Sequence, residues 1–133
     1  MRLVLDNEAV QALLDQQHPK HVRVMAHLSA AAARKQGSPT PHIKVPTTVM
    51  AEAGWDRSDR ALADLNRLHP QVDPLDEPRS RQCVQLLRVR RIGVVDAHVA
   101  ALASSQPDRV TVLTSDLDDL ATLTAPHVTV VRI

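Results

Sequence analysis

Short apolar runs and amphipathic stretches follow one another along the whole chain. Arg2-Leu3-Val4-Leu5 is an apolar run that reads as a buried strand, and Asp6-Asn7 ends it. From Glu8 on, Val10, Leu13 and Leu14 have helical spacing. Pro19 suits the first position of a second helix, which runs to Gln36 with Val22, Met25, Ala26 and Leu28 on one side and Gly37 closing it. Ser38-Pro-Thr-Pro is a loop, and Ile43-Lys44-Val45-Pro46 reads as a second strand. Thr47 and Thr48 are suited to cap a helix carrying Val49, Met50 and Glu52 up to about Gly54.

The spacing of Leu62, Leu65 and Leu68 predicts a helix over Arg57 to Leu68. Val72 to Leu75 is a short strand candidate, and Asp76 to Arg91 a helix with Pro in its first turn and Cys83, Leu86 and Leu87 facing inward. Gly93 breaks it, and a small-residue helix follows over Ala97 to Ser104. Val110 to Thr114 is a strand, Ser115 caps a helix over Asp116 to Leu123, and Val128 to Arg132 is the last strand. Strand and helix alternate with no internal repeat. That pattern predicts one α/β domain over residues 1–133 with a mainly parallel, helix-flanked sheet.

Composition narrows the function. Lys plus Arg number 16 and Asp plus Glu 15, so the net charge is +1. That balance excludes a strongly basic nucleic-acid coater. One Trp, no Tyr and no Phe exclude a base-stacking platform. Cys83 stands alone, so no internal disulfide forms, which fits a reducing cytoplasm. No apolar run approaches the ~18 residues of a membrane span, and Asp6 interrupts the first apolar run, so the chain reads as cytosolic.

Four acids fall where parallel sheets place their sites. Asp6 directly follows the first strand, and Asp116 comes two residues after Val110–Thr114. Glu52 and Asp96 sit inside otherwise apolar helical stretches. A carboxylate on an apolar face is costly unless paired or bound to a cation, and oxygen-only ligands suit hard divalent cations. Taken singly, each acid could be a cap, a turn residue or an exposed side chain.

The order Leu5-Asp6, Thr47-Thr-Val-Met-Ala-Glu52, Asp96-Ala97 and Val112-Leu-Thr-Ser-Asp116 resembles the PIN domain. Within that group it is similar to the VapC-type toxin ribonucleases of bacterial toxin–antitoxin pairs. The resemblance covers the chain from first strand to last. It implies a three-layer fold with a central parallel sheet of four or five strands. It implies Mg2+ (with Mn2+ as substitute) and hydrolysis of RNA phosphodiester bonds. Asp6, Glu52, Asp96 and Asp116 match the catalytic acids, with Asp6, Asp96 and Asp116 as metal ligands and Asp119 as an additional acid. Thr114 and Ser115 match hydroxyl positions beside the substrate. An antitoxin partner and a homodimer are implied as well. Two positions depart from the pattern: Asn7-Glu8 stand where a small residue and Ser are usual, and Arg88 to Val95 lacks the usual polar residue.

Other residues carry less. His18 and His21 have ligand-like spacing, but nothing nearby completes a tetrahedral set. Cys83 reads as a small buried hydrophobe and Trp55 as a packing residue. Arg79, Arg81, Arg88, Arg90 and Arg91 crowd one helix and its exit. Arg90 and Arg91 are the expected RNA-backbone contacts. A catalytically silent RNA- or protein-binding module is the alternative. A phosphatase of the haloacid-dehalogenase kind is disfavoured because position 8 is Glu, and a receiver domain because no Lys follows Lys44.

Overall fold

The structure, a computed structural model, describes residues 2–33, 42–58 and 66–133. Five strands form one sheet: β1 (Arg2–Leu5), β2 (His42–Pro46), β3 (Gln71–Asp73), β4 (Val110–Thr114) and β5 (Val128–Arg132). Their order is β3-β2-β1-β4-β5, and every neighbouring pair is parallel. The helices between them are α1 (Asn7–Leu14), α2 (His21–Ala33), α3 (Thr47–Ala53), α4 (Glu77–Val89), α5 (Val94–Ser104) and α6 (Leu117–Leu123).

Successive residues of a strand face opposite sides of its sheet. Leu3, Val4 and Leu5 of β1 are all buried, as are Val110, Val112, Leu113 and Thr114 of β4. Both faces of the central strands are therefore covered, which is the three-layer arrangement expected. Val10 and Leu13 of α1 and Val99, Ala100 and Leu102 of α5 belong to the same core. The small side chains of α5 let it lie close over the sheet, where it packs on β1, β2 and β4. Trp55 is buried in this core, and its Nε1 donates to Asn66 Oδ1, so it packs as expected. Cys83 is buried too, and burial pushes its thiol up, so it is no nucleophile.

Several boundaries differ from the sequence reading. Pro19 lies in the turn before α2, which starts at His21. Thr47 and Thr48 begin α3, whose N-cap is Pro46 with no side-chain cap bond. β3 starts one residue earlier and ends two residues earlier than expected, and α5 starts three residues earlier, because Gly93 supplies its extended N-cap and Val94-Val95 enter the helix. Asp116, not Ser115, is the N-cap residue of α6. The end of the second helix near Gln36 and Gly37, the Ser38–Pro41 loop and most of the expected Arg57–Leu68 helix lie outside the described residues.

Candidate functional site: an acidic cavity at the strand ends

The strand order reverses at β1. From β1 the chain builds outward to β2 and β3, then returns to add β4 and β5 on the other side. A crevice opens at the carboxyl ends of strands at such a point. The cavity found there is about 330 Å³ and is lined by Asp6, Glu52, Asp96 and Asp116, together with Asn7, Glu8 and Ser115. All four expected acids thus meet in one place. Among the described residues neither Lys nor Arg lines it.

Asp6 does double duty. Its Oδ1 accepts the Ala9 N–H at 2.8 Å and so caps α1, while its Oδ2 accepts the Ser115 N–H at 3.2 Å. Burial raises its carboxyl above the usual range, and hydrogen bonds from Thr114, Ala9 and Ser115 pull it back. Asp116 makes no side-chain cap bond in α6, so its carboxylate is not spent on the helix. Asp96 sits in the first turn of α5, one turn beyond the N-cap residue Gly93. Burial and the charges of Asp116, Asp6, Asp119 and Glu52, in that order, push it up to about 6. Glu52 is exposed on the last turn of α3.

Thr114 requires a correction. The resemblance implied a hydroxyl presented to substrate, but Thr114 is 0 % exposed. Its Oγ1 accepts the Asp116 N–H at 2.9 Å and its hydroxyl bonds the Asp6 carboxylate. It orders two of the acids from beneath the cavity. Ser115 is exposed and remains available. Thr114→Val keeps the shape and deletes the hydroxyl. We expect it to cost about 1 kcal/mol of stability through the lost hydrogen bonds, measured by thermal unfolding of the variant against the wild type.

The arginines divide. Arg79 is turned into the protein, where it binds Asp73, and Arg81 forms a surface pair with Glu77. Arg90 pairs with Asp119 and donates to Thr122 Oγ1 at 3.0 Å, which holds it against α6 rather than in the lining of the acid cavity. Arg91 is exposed at the exit of α4.

A second polar cluster escaped the sequence reading. His98 is fully buried, with Nε2–H donating to Asp73 Oδ2 at 2.8 Å and Nδ1 accepting from the Thr48 hydroxyl at 2.9 Å. Arg79 grips Asp73 with two bonds of 2.8 and 3.0 Å. The chain Thr48–His98–Asp73–Arg79 ties α3, which carries Glu52, to α5, which carries Asp96. The only signal in the sequence was a His in an otherwise apolar helix.

The residues fit a hard divalent cation in chemistry. Every donor is an oxygen, the neighbouring carboxylates raise Asp96, and the buried Oδ1 of Asn7 beside them has no hydrogen-bond partner among the described residues. Among the described residues no three His, Cys, Asp or Glu side chains converge into a tight cage. Mg2+ does not require one, because it keeps several waters and binds one or two carboxylates plus substrate phosphate.

No family model matches the chain, and no curated protein does. Solved structures do. VapBC2 from Rickettsia felis, bound to a DNA fragment from their promoter, aligns with a TM-score of 0.63 and 14 % identity over 100 % of this chain and 99 % of that one. FitAcB from Neisseria gonorrhoeae aligns with a TM-score of 0.59 and 20 % identity over 96 % and 95 %. At such identities the likeness shows the fold alone. The family assignment drawn from the sequence is corrected accordingly: both neighbours are toxin–antitoxin complexes, neither is described as a PIN-domain ribonuclease, and no family model supports that membership. What stands is a PIN-like three-layer α/β fold. No helix among the described residues is long and apolar enough to cross a membrane.

Proposed function

We propose that this protein hydrolyses RNA phosphodiester bonds with the help of Mg2+, in association with a partner protein. The observation that carries the reading is the convergence of Asp6, Glu52, Asp96 and Asp116 on one cavity whose lining, among the described residues, holds no Lys or Arg. Uncompensated carboxylates are expensive and are kept where they handle cations. Support for the partner comes from the solved neighbours, which are toxin–antitoxin complexes. An antitoxin as that partner and a second copy of the chain belong to the same proposal.

Asp6, Asp96 and Asp116 would hold the ion. When bound, Mg2+ lowers the pKa of its water and screens charge on the phosphate. Glu52, exposed at the end of α3, accepts a hydrogen bond from the attacking water and orients it. The Thr114 hydroxyl and the Ser115 N–H hold the Asp6 carboxylate, and Thr114 Oγ1 also accepts the Asp116 backbone N–H and so fixes the start of α6. Arg90 and Arg91 would screen phosphates flanking the scissile bond.

Mapping new RNA 5′ ends in cells tests this reading. Cells expressing the wild-type protein acquire discrete new ends, and cells expressing Asp6→Asn do not. Asn still caps α1, so the variant keeps its fold. Identical end profiles in the two would remove the proposal. The second reading is a catalytically silent binding module. It predicts RNA or protein binding with no new ends.

A further inference from the structure

The acids around the cavity fall into two classes. Asp96, Asp116 and Glu52 have no ion-pair partner among the described residues. The acids on the flanks do: Glu8 is paired on the α1 side, Asp119 with Arg90 and Asp118 with Arg132 on the α6 side. The α1 side is the more closely built. Glu8 lines the cavity itself, and its Oε1 lies 3.4 Å from both His18 Nε2 and Lys20 Nζ. His18 is fixed in turn, because its Nδ1 accepts the Lys20 N–H at 3.1 Å and leaves the other ring nitrogen to donate toward Glu8. Two donors from one turn thus converge on one acidic oxygen at the cavity's edge.

We propose that Lys20 and His18 form a subsite for a backbone phosphate of the RNA, and that Glu8 occupies it in the free protein. This rests on the reading above, which brings a polyanion to a cavity that would otherwise repel it. A strand seated on the acids presents its next phosphate at the cavity's edge. There the phosphate oxygens take the hydrogen bonds that Glu8 Oε1 accepts in the free protein. Glu8 therefore competes with substrate, and the departure from the small-then-Ser pattern after Asp6 acquires a purpose: it tempers binding of non-specific RNA.

The test uses the full-length Asp96→Asn protein, which binds without cutting, and a 5′-labelled single-stranded RNA followed by anisotropy in Mg2+ at several salt concentrations. Adding Lys20→Gln is expected to weaken binding about 3- to 10-fold and to reduce the slope of log K against log salt by about 0.7, the share of one phosphate on a single strand. Adding Glu8→Gln is expected to tighten binding, and Lys20→Arg to restore it. Unfolding curves of each variant exclude a misfolded sample. Binding unchanged by Lys20→Gln, or weakened by Glu8→Gln as by Lys20→Gln, overturns the subsite, the second result showing a pair that only braces the turn. A parent that binds no RNA overturns the ribonuclease reading instead.

Discussion

Asp96→Asn is expected to abolish cleavage and at the same time make the cation-free protein more stable. On the proposed reading the variant lacks a cation ligand, which would cost several kcal/mol of transition-state stabilisation and lower activity by about 10²–10³-fold. The stability gain follows from the same crowding of charge. Asp96 is raised from 3.8 to about 6 by burial and by Asp116, Asp6, Asp119 and Glu52. A carboxyl whose folded pKa is raised takes up its proton more readily in the folded protein. Its stabilisation is complete below the unfolded value of 3.8 and is lost as pH rises through about 6. At neutral pH the wild type has lost it, and the Asn variant carries no charge to lose. Allowing for solvent screening at this partly open cavity, the gain is about 1–2 kcal/mol, or about 5 °C in Tm. The difference between variant and wild type should be full above about pH 6.5 and vanish below pH 4. Thermal unfolding in EDTA across that range checks it. A variant less stable than wild type at pH 7 would contradict the crowding.

Asp73→Ala is expected to be the most damaging substitution to stability. Asp73 accepts from both Arg79 and the fully buried His98. Burial alone would raise its carboxyl, but the hydrogen bonds and charges of Arg79 and His98 hold it below its ordinary value. Removing it strands a guanidinium and an imidazole donor inside the protein, which costs about 3 kcal/mol and about 10 °C in Tm. Arg79→Met should cost a similar amount. The double variant should cost clearly less than the sum, because once one partner is gone the other's removal relieves an unpaired group. Additive losses would show that the two act independently. The pH dependence runs opposite to that of Asp96. Burial outweighs the pull of Asp73 and holds His98 below its ordinary value. A depressed pKa stabilises the fold above the unfolded value and loses that stability as pH falls below it. Acidification from pH 7 therefore weakens the Thr48–His98–Asp73 chain while it relieves Asp96.

These two residues also show how far the sequence could be read. The bounds of β1, β4 and β5 were legible because each is an unbroken apolar or β-branched run closed by polar residues. The meeting of Asp6 and Asp116 was legible because parallel strands gather their carboxyl ends, whatever the register. Thr114 was misread as substrate-facing. Strand alternation leaves both faces of a central parallel strand buried, so position in sequence did not reveal that its hydroxyl points beneath the acids. His98 was passed over because its partners lie 25 and 50 residues away, on β3 and α3. Nothing local distinguishes a buried histidine with two partners from an exposed one. Val94 and Val95 hid the start of α5, since β-branched residues directly after a Gly have low helix propensity and Val94 remains exposed.

The acids, the cation and the RNA meet in one measurement: cleavage of a 5′-labelled single-stranded RNA by the purified protein, in millimolar Mg2+ and in EDTA. Wild type in Mg2+ should give discrete products, EDTA should stop them and Mn2+ should restore them, while Asp6→Asn and Asp96→Asn remain inactive in either ion. Cleavage that persists in EDTA, or that survives both substitutions, would contradict a cation-dependent site at this cavity.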